Sequence, residues 1–203
     1  MLYKLAHIFQ DKLPFVWDVI EWVNSVLFRL RYGKKLKYIT DILMKYSKIF
    51  QIREATVGDV DGLVEFFQKQ PEESYNYFKP HSFDTKTIKK LINRKSYLFF
   101  IVLDDKKIIG YYFLRSFFMG KSYLGKIVDK NYRGKGVGKL MCLSAMDVAY
   151  MLGLHMYETI SKDNLASLYS SRKVLDVKIL KDLDDNYIYV EDFPKGTLTK
   201  TVL

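Results

Sequence analysis

Nine residues, "NYRGKGVGK" (Asn131 to Lys139), constrain this chain more than any other stretch. They follow an apolar run, "SYLGKIV", and precede an apolar, helix-patterned one, "LMCLSAMDVAYMLGL". A strand is therefore expected to turn through glycines into a helix. A helix N-terminus leaves about four backbone N–H groups unpaired and carries about half a positive charge. Gly134, Gly136 and Gly138 let an anion approach that backbone, and Arg133, Lys135 and Lys139 add charge around it. That is a strand–loop–helix cradle for phosphate. A P-loop needs four residues between its first glycine and Gly-Lys-Ser/Thr, and a dinucleotide fold needs G-x-G-x-x-G after its first strand; both fail here. The bland alternative is a glycine turn with no ligand.

At 203 residues the chain suits one domain with an appendage. A single cysteine, Cys142, excludes a disulfide framework and points to a reducing cytoplasm. There is no run of eighteen or more uncharged apolar residues and no small-residue cleavage site near the N-terminus, so neither secretion nor a membrane span is expected. Net charge +10 favours anionic partners. The lysines are dispersed along helices without a dense basic arm, so solvated faces rather than nucleic acid explain them. No His/Cys/Asp spacing suggests a metal.

The chain divides near residue 50 into an N-terminal segment, 1–49, and a main domain, 50–203. The first part carries nine Lys and Arg against four Asp and Glu. The spacing predicts a helix from about Pro14 to Arg31, broken at Gly33, then a second amphipathic helix through Ile39, Ile42, Leu43 and Tyr46. In the first helix Asp18, Glu21, Ser25 and Arg29 form one narrow polar stripe, and nearly all else is apolar. Such a helix has to be buried somewhere. It either packs on the main domain or on a second copy in a homodimer, or lies as an anchor (residues 13–37) on the inner face of a membrane with its cations toward anionic lipid. Two carboxylates within the apolar span favour packing.

Beyond residue 50, strands and helices alternate. "FQIREAT" reads as a strand, and Thr56 with Asp59 forms a capping box for the next helix. "QPEESYNYFKPHSFD" is loop-like, and Asp84 caps "TKTIKKLINR". "YLFFIVLDDKKIIGYYFLRSFF" is a β-hairpin about a polar turn at Asp104 to Lys107. After the glycine stretch and its helix come a strand, "LHMYETIS", a helix, "NLASLYSSRKVL", and two closing strands.

Arg133-x-x-Gly136-x-Gly138 at a strand–helix junction after a β-hairpin resembles the acetyl-coenzyme A signature of the GNAT acyltransferase superfamily, and the order of elements from about 50 to 192 is similar. The resemblance implies an α+β fold: a mixed, mostly antiparallel sheet flanked by helices, here with an N-terminal helical extension. It implies N-acyl transfer from acetyl-coenzyme A to a primary amine by direct attack, with no metal. The backbone of Ile127, Val128 and Asp129 would hold the pantetheine arm, and Gly134, Lys135, Gly136, Val137, Gly138 and Lys139 with Arg133 the pyrophosphate. Asn164 and Ser167 would contact the arm, and an N–H near Val128 would stabilise the oxyanion.

Departures concern the acid–base roles. The family's tyrosine, seven residues after the asparagine, is replaced by Ser171, while Tyr169 lies two residues earlier, about 200° around the helix. Thr159 stands where some relatives carry a glutamate base, and Lys130 replaces a frequent proline. His81 is the candidate general base, against a structural reading as a loop or cap-adjacent histidine. Asp129, Glu54 and Glu158 rank below it, Glu158 being expected to point away from the cleft because it alternates with Thr159. His7 and His155 read as structural, Cys142 as a core thiol. Tyr75, Tyr77 and Phe78 are placed to stack on a sugar or base. The "KPHSFD" loop, the "FLRSF" strand and the helical extension resemble GNAT proteins of bacterial surface-polysaccharide clusters, which implies an amino-sugar nucleotide or a lipid-linked amino sugar as acceptor. A protein or peptide amine, or a cofactor-binding adaptor without turnover, remain alternatives.

Overall fold

A computed structural model describes residues 14–198; His7 lies outside them. Seven strands form one sheet in the order β1-β2-β3-β4-β5-β7-β6. They are β1 (Gln51–Glu54), β2 (Tyr97–Asp104), β3 (Lys107–Ser116), β4 (Lys121–Val128), β5 (His155–Ser161), β6 (Leu175–Leu183) and β7 (Tyr187–Pro194). Every neighbouring pair is antiparallel except β4 and β5, which run parallel. The mostly antiparallel sheet flanked by helices is the fold the sequence led to expect.

β2 is an unbroken apolar run because both its faces are covered. Leu98, Phe100 and Val102 enter one core, with helix α5 (Val137–Leu152). Tyr97, Phe99, Ile101 and Leu103 enter the other, with α3 (Val60–Gln68) and α4 (Thr85–Ile92). The expected caps are in place: Asp59 accepts from the Thr56 N–H (2.8 Å), and Asp84 from the Thr87 N–H (2.9 Å). The β2–β3 turn places Asp105 in the left-handed region (φ 51°). The loop before α4 contains a short 3-10 turn, Glu72–Tyr75.

The N-terminal pair departs from expectation twice. Helix α1 (Pro14–Leu36) continues through Gly33, and α2 (Ile39–Tyr46) follows. A helical glycine costs only about 1 kcal/mol, and the α1 residues Phe28 and Tyr32 join the same core as Ile39, Ile42 and Leu43 of α2 and Met141 of α5. That packing outweighs the glycine. The second departure is rotational. α1 turns Glu21, Asn24, Phe28 and Tyr32 inward, leaves Arg29 of the polar stripe exposed, and turns its apolar face outward, with Phe15, Trp22 and Leu30 78%, 64% and 78% exposed. Glu21 pairs with Arg115 of β3. Asp18 accepts from Lys90 of α4 (2.6 Å) and from Arg94 (3.0 Å). Asn24 brackets the β3–β4 turn, donating to Ser116 O and accepting from the Phe118 N–H, both at 3.0 Å. Specific polar partners on the domain decide which side of the helix docks.

Candidate active site

The site begins where two strands part. β4 and β5 pair only from Lys121↔His155 to Tyr123↔Tyr157, after which β5 pairs with β7 alone while β4 continues on β3. A gap therefore opens beside Leu124 to Val128. Which backbone groups face it follows from alternation. Lys121 O and the Asp129 N–H bond toward β3, whereas Gly120 O bonds toward β5. With no bulge in the β3–β4 register, even positions face the gap. Leu124, Lys126 and Val128 thus present unpaired strand edge there, and the backbone groups of Ile127 and Asp129 are directed to β3. Of the three backbone positions expected to hold a pantetheine arm, Val128 faces the gap.

Beyond Val128 the chain turns into α5. The Asp129 carboxylate accepts from the Asn131 N–H (2.8 Å) and lies 3.4 Å from Lys107 Nζ, which fixes the turn. Gly134 and Gly136 adopt left-handed φ of 77° and 86°, a region costly for other residues, and a Cβ on either would meet nothing within 4 Å. The space above them is open. Leu140 N–H to Gly136 O is the first helical bond, so the N–H groups of Val137, Gly138 and Lys139 point out of the helix end unpaired by it. Gly138 lies instead beside α6 (Leu165–Val174), where its Cβ would stand 3.6 Å from Ser170 Cβ. Lys135 lies over the Tyr132 ring (4.6 Å), and Arg133 donates to Ser74 Oγ (2.6 Å) across the loop. The residues present fit a phosphate-bearing ligand.

Asn164 caps α6, its Oδ1 accepting from the Ser167 N–H (3.1 Å). Ser171 and Tyr169 fall on opposite sides of this helix. Tyr169 is 61% exposed, with Lys139 Nζ 5.8 Å from its ring, at the rim of the cradle. Ser171 is fully buried under the gap, donating to Glu158 Oε1 (2.7 Å) and accepting from Lys126 Nζ (3.1 Å).

That contact reveals a cluster the sequence reading missed. Lys126 of β4 and Glu158 of β5 form a buried ion pair between the parting strands, with the Cys142 sulfur 3.7 Å from Ser171 Oγ and Asp192 of β7 alongside. Burial opposes the charge on Lys126, but the surrounding acids outweigh it and its pKa rises. The Cys142 thiol is pushed up by burial, so at neutral pH Glu158 is the partner that holds the ammonium. Burial first, then the Glu158 charge, push Asp192 up to about 9. Asp192 therefore keeps its proton at neutral pH beside the Glu158 charge, and neither of its buried oxygens has a hydrogen-bond partner among the described residues. Glu158 does lie on the face opposite Thr159, yet it stands at the gap rather than away from it, because Lys126 compensates its charge. The available signal was Lys126 itself, a charge between Leu124 and Val128 on an otherwise apolar strand face.

On the other face His81 sits among aromatic rings, including Phe83, Phe99 and Tyr111. Its Nδ1 meets the Ser82 carbonyl (2.7 Å), which can only accept. Nδ1 therefore carries the proton, and Nε2 accepts from the Tyr111 hydroxyl (3.0 Å). Burial pushes the His81 pKa down, so the ring is neutral at pH 7. Also on this face are Tyr123, Tyr157 and Tyr189 from three adjacent strands, with Tyr157 and Tyr189 stacked at 5.4 Å. Only the sheet order β4-β5-β7 brings these three tyrosines together. His155 pairs with Glu191, and Cys142 is buried. Among the described residues no group of three or more His, Cys, Asp and Glu could hold a metal ion.

The family model described as Acetyltransferase (GNAT) family matches residues 61–170, from α3 through the cradle to α6. The chain belongs to the GNAT acetyltransferase family. Solved structures agree in fold. The GNAT domain of S. lividans PAT is 16% identical with a TM-score of 0.62, over 71% of this chain and 90% of that one. The ribosomal-protein-S5-alanine acetyltransferase from Vibrio fischeri is 17% identical (TM-score 0.60; 73% and 95% covered). The PaiA N-acetyltransferase from Thermoplasma acidophilum, solved with coenzyme A, is 18% identical (TM-score 0.58; 70% and 97% covered). No curated protein matches the sequence. In this acetyltransferase the first 60 residues lie outside the family match.

Proposed function

We propose that this acetyltransferase is a cytoplasmic enzyme that moves an acetyl group from acetyl-coenzyme A to the primary amine of a ring-bearing small molecule, an amino sugar in nucleotide-linked or lipid-linked form. The carrying observation is that the open edge of β4 runs directly into the exposed N-terminus of α5. A strand edge suits an amide-bearing arm, and a helix N-terminus suits a pyrophosphate. Backbone groups of Lys126 and Val128 hold the arm. The N–H groups at the start of α5, with Arg133, Lys135 and Lys139, hold the phosphates.

Bound there, the cofactor supplies an activated acyl carbonyl. The amine nitrogen bonds to that carbon, the C–S bond breaks, and the sulfur leaves with the electron pair. Lys126, kept charged by Glu158 and positioned by Ser171, supplies the positive charge nearest the gap and takes the place of the missing tyrosine in stabilising the leaving thiolate. The amine proton passes to His81, whose ring is oriented by the buried Tyr111 hydroxyl. The tyrosine triplet beside Thr159 favours a flat, hydroxylated ring over an extended peptide.

Calorimetric titration tests the donor site. Acetyl-coenzyme A should bind roughly tenfold or more tightly than dephospho-coenzyme A or ATP. Absence of binding refutes the donor assignment. Turnover on amino-sugar nucleotides but not on peptide amines supports the acceptor class; the reverse pattern replaces it, and binding with no turnover on any amine leaves a cofactor-binding adaptor.

A further inference from the structure

Among the described residues, nothing packs on the outward face of α1. From Phe15 to Leu30 it runs about 22 Å and spans about 160° of the helix. Phe15, Ile20, Trp22, Val26 and Leu30 lie on it, all exposed. At 100° per residue, Arg29 falls at one edge of this arc and Arg31 at the other, and Lys34 continues it toward the C-terminus. Of the two carboxylates of α1, Glu21 is buried on the far side, held by Arg94 and Arg115, while Asp18 borders the arc beside Arg29, half exposed and paired with Lys90 and Arg94. Phe118 and Met119 of the β3–β4 turn extend the apolar surface, since the Phe118 carbonyl accepts from Arg31 (2.9 Å).

We propose that α1 seats this protein on an anionic lipid bilayer, lying in the interface with its apolar face among the acyl chains and its cations at headgroup depth. The inference is independent of the acetyl-transfer reading. Charge selects the occupant. A second copy laid against the same face would oppose arginine and lysine to a rim whose one carboxylate, Asp18, is already held by two cations, whereas anionic headgroups match that rim. The cost of carboxylates near lipid is met by pairing: Glu21 is buried against Arg115, and Asp18 at the border is neutralised by Lys90 and Arg94. Among the described residues no helix is long and apolar enough to cross a membrane, so the mode is surface seating rather than spanning.

Flotation of the full chain with vesicles of phosphatidylcholine, alone or with 30% phosphatidylglycerol, tests this. Partition onto the anionic vesicles should exceed that onto neutral ones by about a hundredfold or more, and should fall with added salt. The Trp22 emission should shift to the blue on binding. The triple variant Phe15→Ser, Trp22→Ser, Leu30→Ser alters only exposed side chains and should lose vesicle binding while keeping its melting temperature. Wild-type protein that ignores anionic vesicles overturns the proposal. So does a lipid-free dimer by analytical ultracentrifugation that the triple variant dissociates, which would make a second copy the occupant.

Discussion

Replacing Asp192 by Asn isolates the proton held beneath the gap. In the folded protein this carboxyl is pushed up to about 9, whereas in the unfolded chain it has its ordinary value near 3.9. Below about pH 4 both states carry the proton and the group does not affect stability. As pH rises, the unfolded chain releases its proton first, so stability falls by about 1.4 kcal/mol per pH unit until about pH 9, then levels off. At pH 7 the difference is about three units, or about 4 kcal/mol. The D192N amide removes the titrating group and leaves the volume unchanged. The variant should therefore be more stable than wild type at pH 7 by several kcal/mol, and the gap should close toward pH 4. Urea unfolding of both proteins from pH 4 to pH 9 measures this directly. Parallel stability curves would refute the raised Asp192 value, whatever the absolute stabilities. Carboxylates with depressed values, such as Asp59 at about 2, titrate below this window and cancel in the comparison.

Lys126→Met leaves Glu158 as a buried, unpaired charge and should cost about 3–5 kcal/mol by chemical denaturation, much of it recovered in the Lys126→Met, Glu158→Gln double variant. Single and double variants equally destabilised would mean the pair is not coupled. Gly136→Val forces a β-branched residue to φ 86° and should abolish acetyl-coenzyme A binding in calorimetry, with a melting temperature lowered by only a few degrees; unchanged affinity would remove the cradle assignment. With His81 as base, activity should rise with pH through a pKa below 6.5, since burial lowers it, and His81→Gln should lose that acid limb and most of its turnover while binding cofactor normally. A wild-type profile flat from pH 5 to 7, or the same limb in the variant, would make His81 a structural member of the aromatic cage.

Local chemistry was legible in the sequence. The Thr56–Asp59 and Asp84 caps, the turn at Asp105 and the left-handed glycines all depend on residues within a few positions, and they lie where spacing placed them. Contacts set by distant residues were not legible. The inward turn of α1 depends on Lys90, Arg94 and Arg115, which are 72 to 94 residues from their carboxylate partners. Apolar periodicity reports that a helix has two faces and not which one the domain will hold. The Lys126 cluster was hidden for the same reason: its five members come from five separate elements, and each alone reads as an ordinary charged or small residue. His81 lies in its expected loop, but the rings around it come from α3, β2 and β3, and the Tyr111 hydroxyl on its Nε2 is 30 residues away.

Alternation along β4 makes that strand a two-sided reading frame. Its even residues supply the gap edge and the buried lysine, and its odd residues supply Tyr123, the Gly125 slot and Ile127. A single-residue insertion or deletion between Tyr123 and Val128 would exchange the two sets. The lysine would enter the tyrosine face without Glu158, and a side chain would replace Gly125, where even a Cβ would stand 2.3 Å from the Phe113 ring. Substitutions can be absorbed one face at a time, but a change of length cannot. Variation in length is therefore confined to the turn before the strand or to the loops beyond it, and the two faces of this strand must diverge without ever shifting phase.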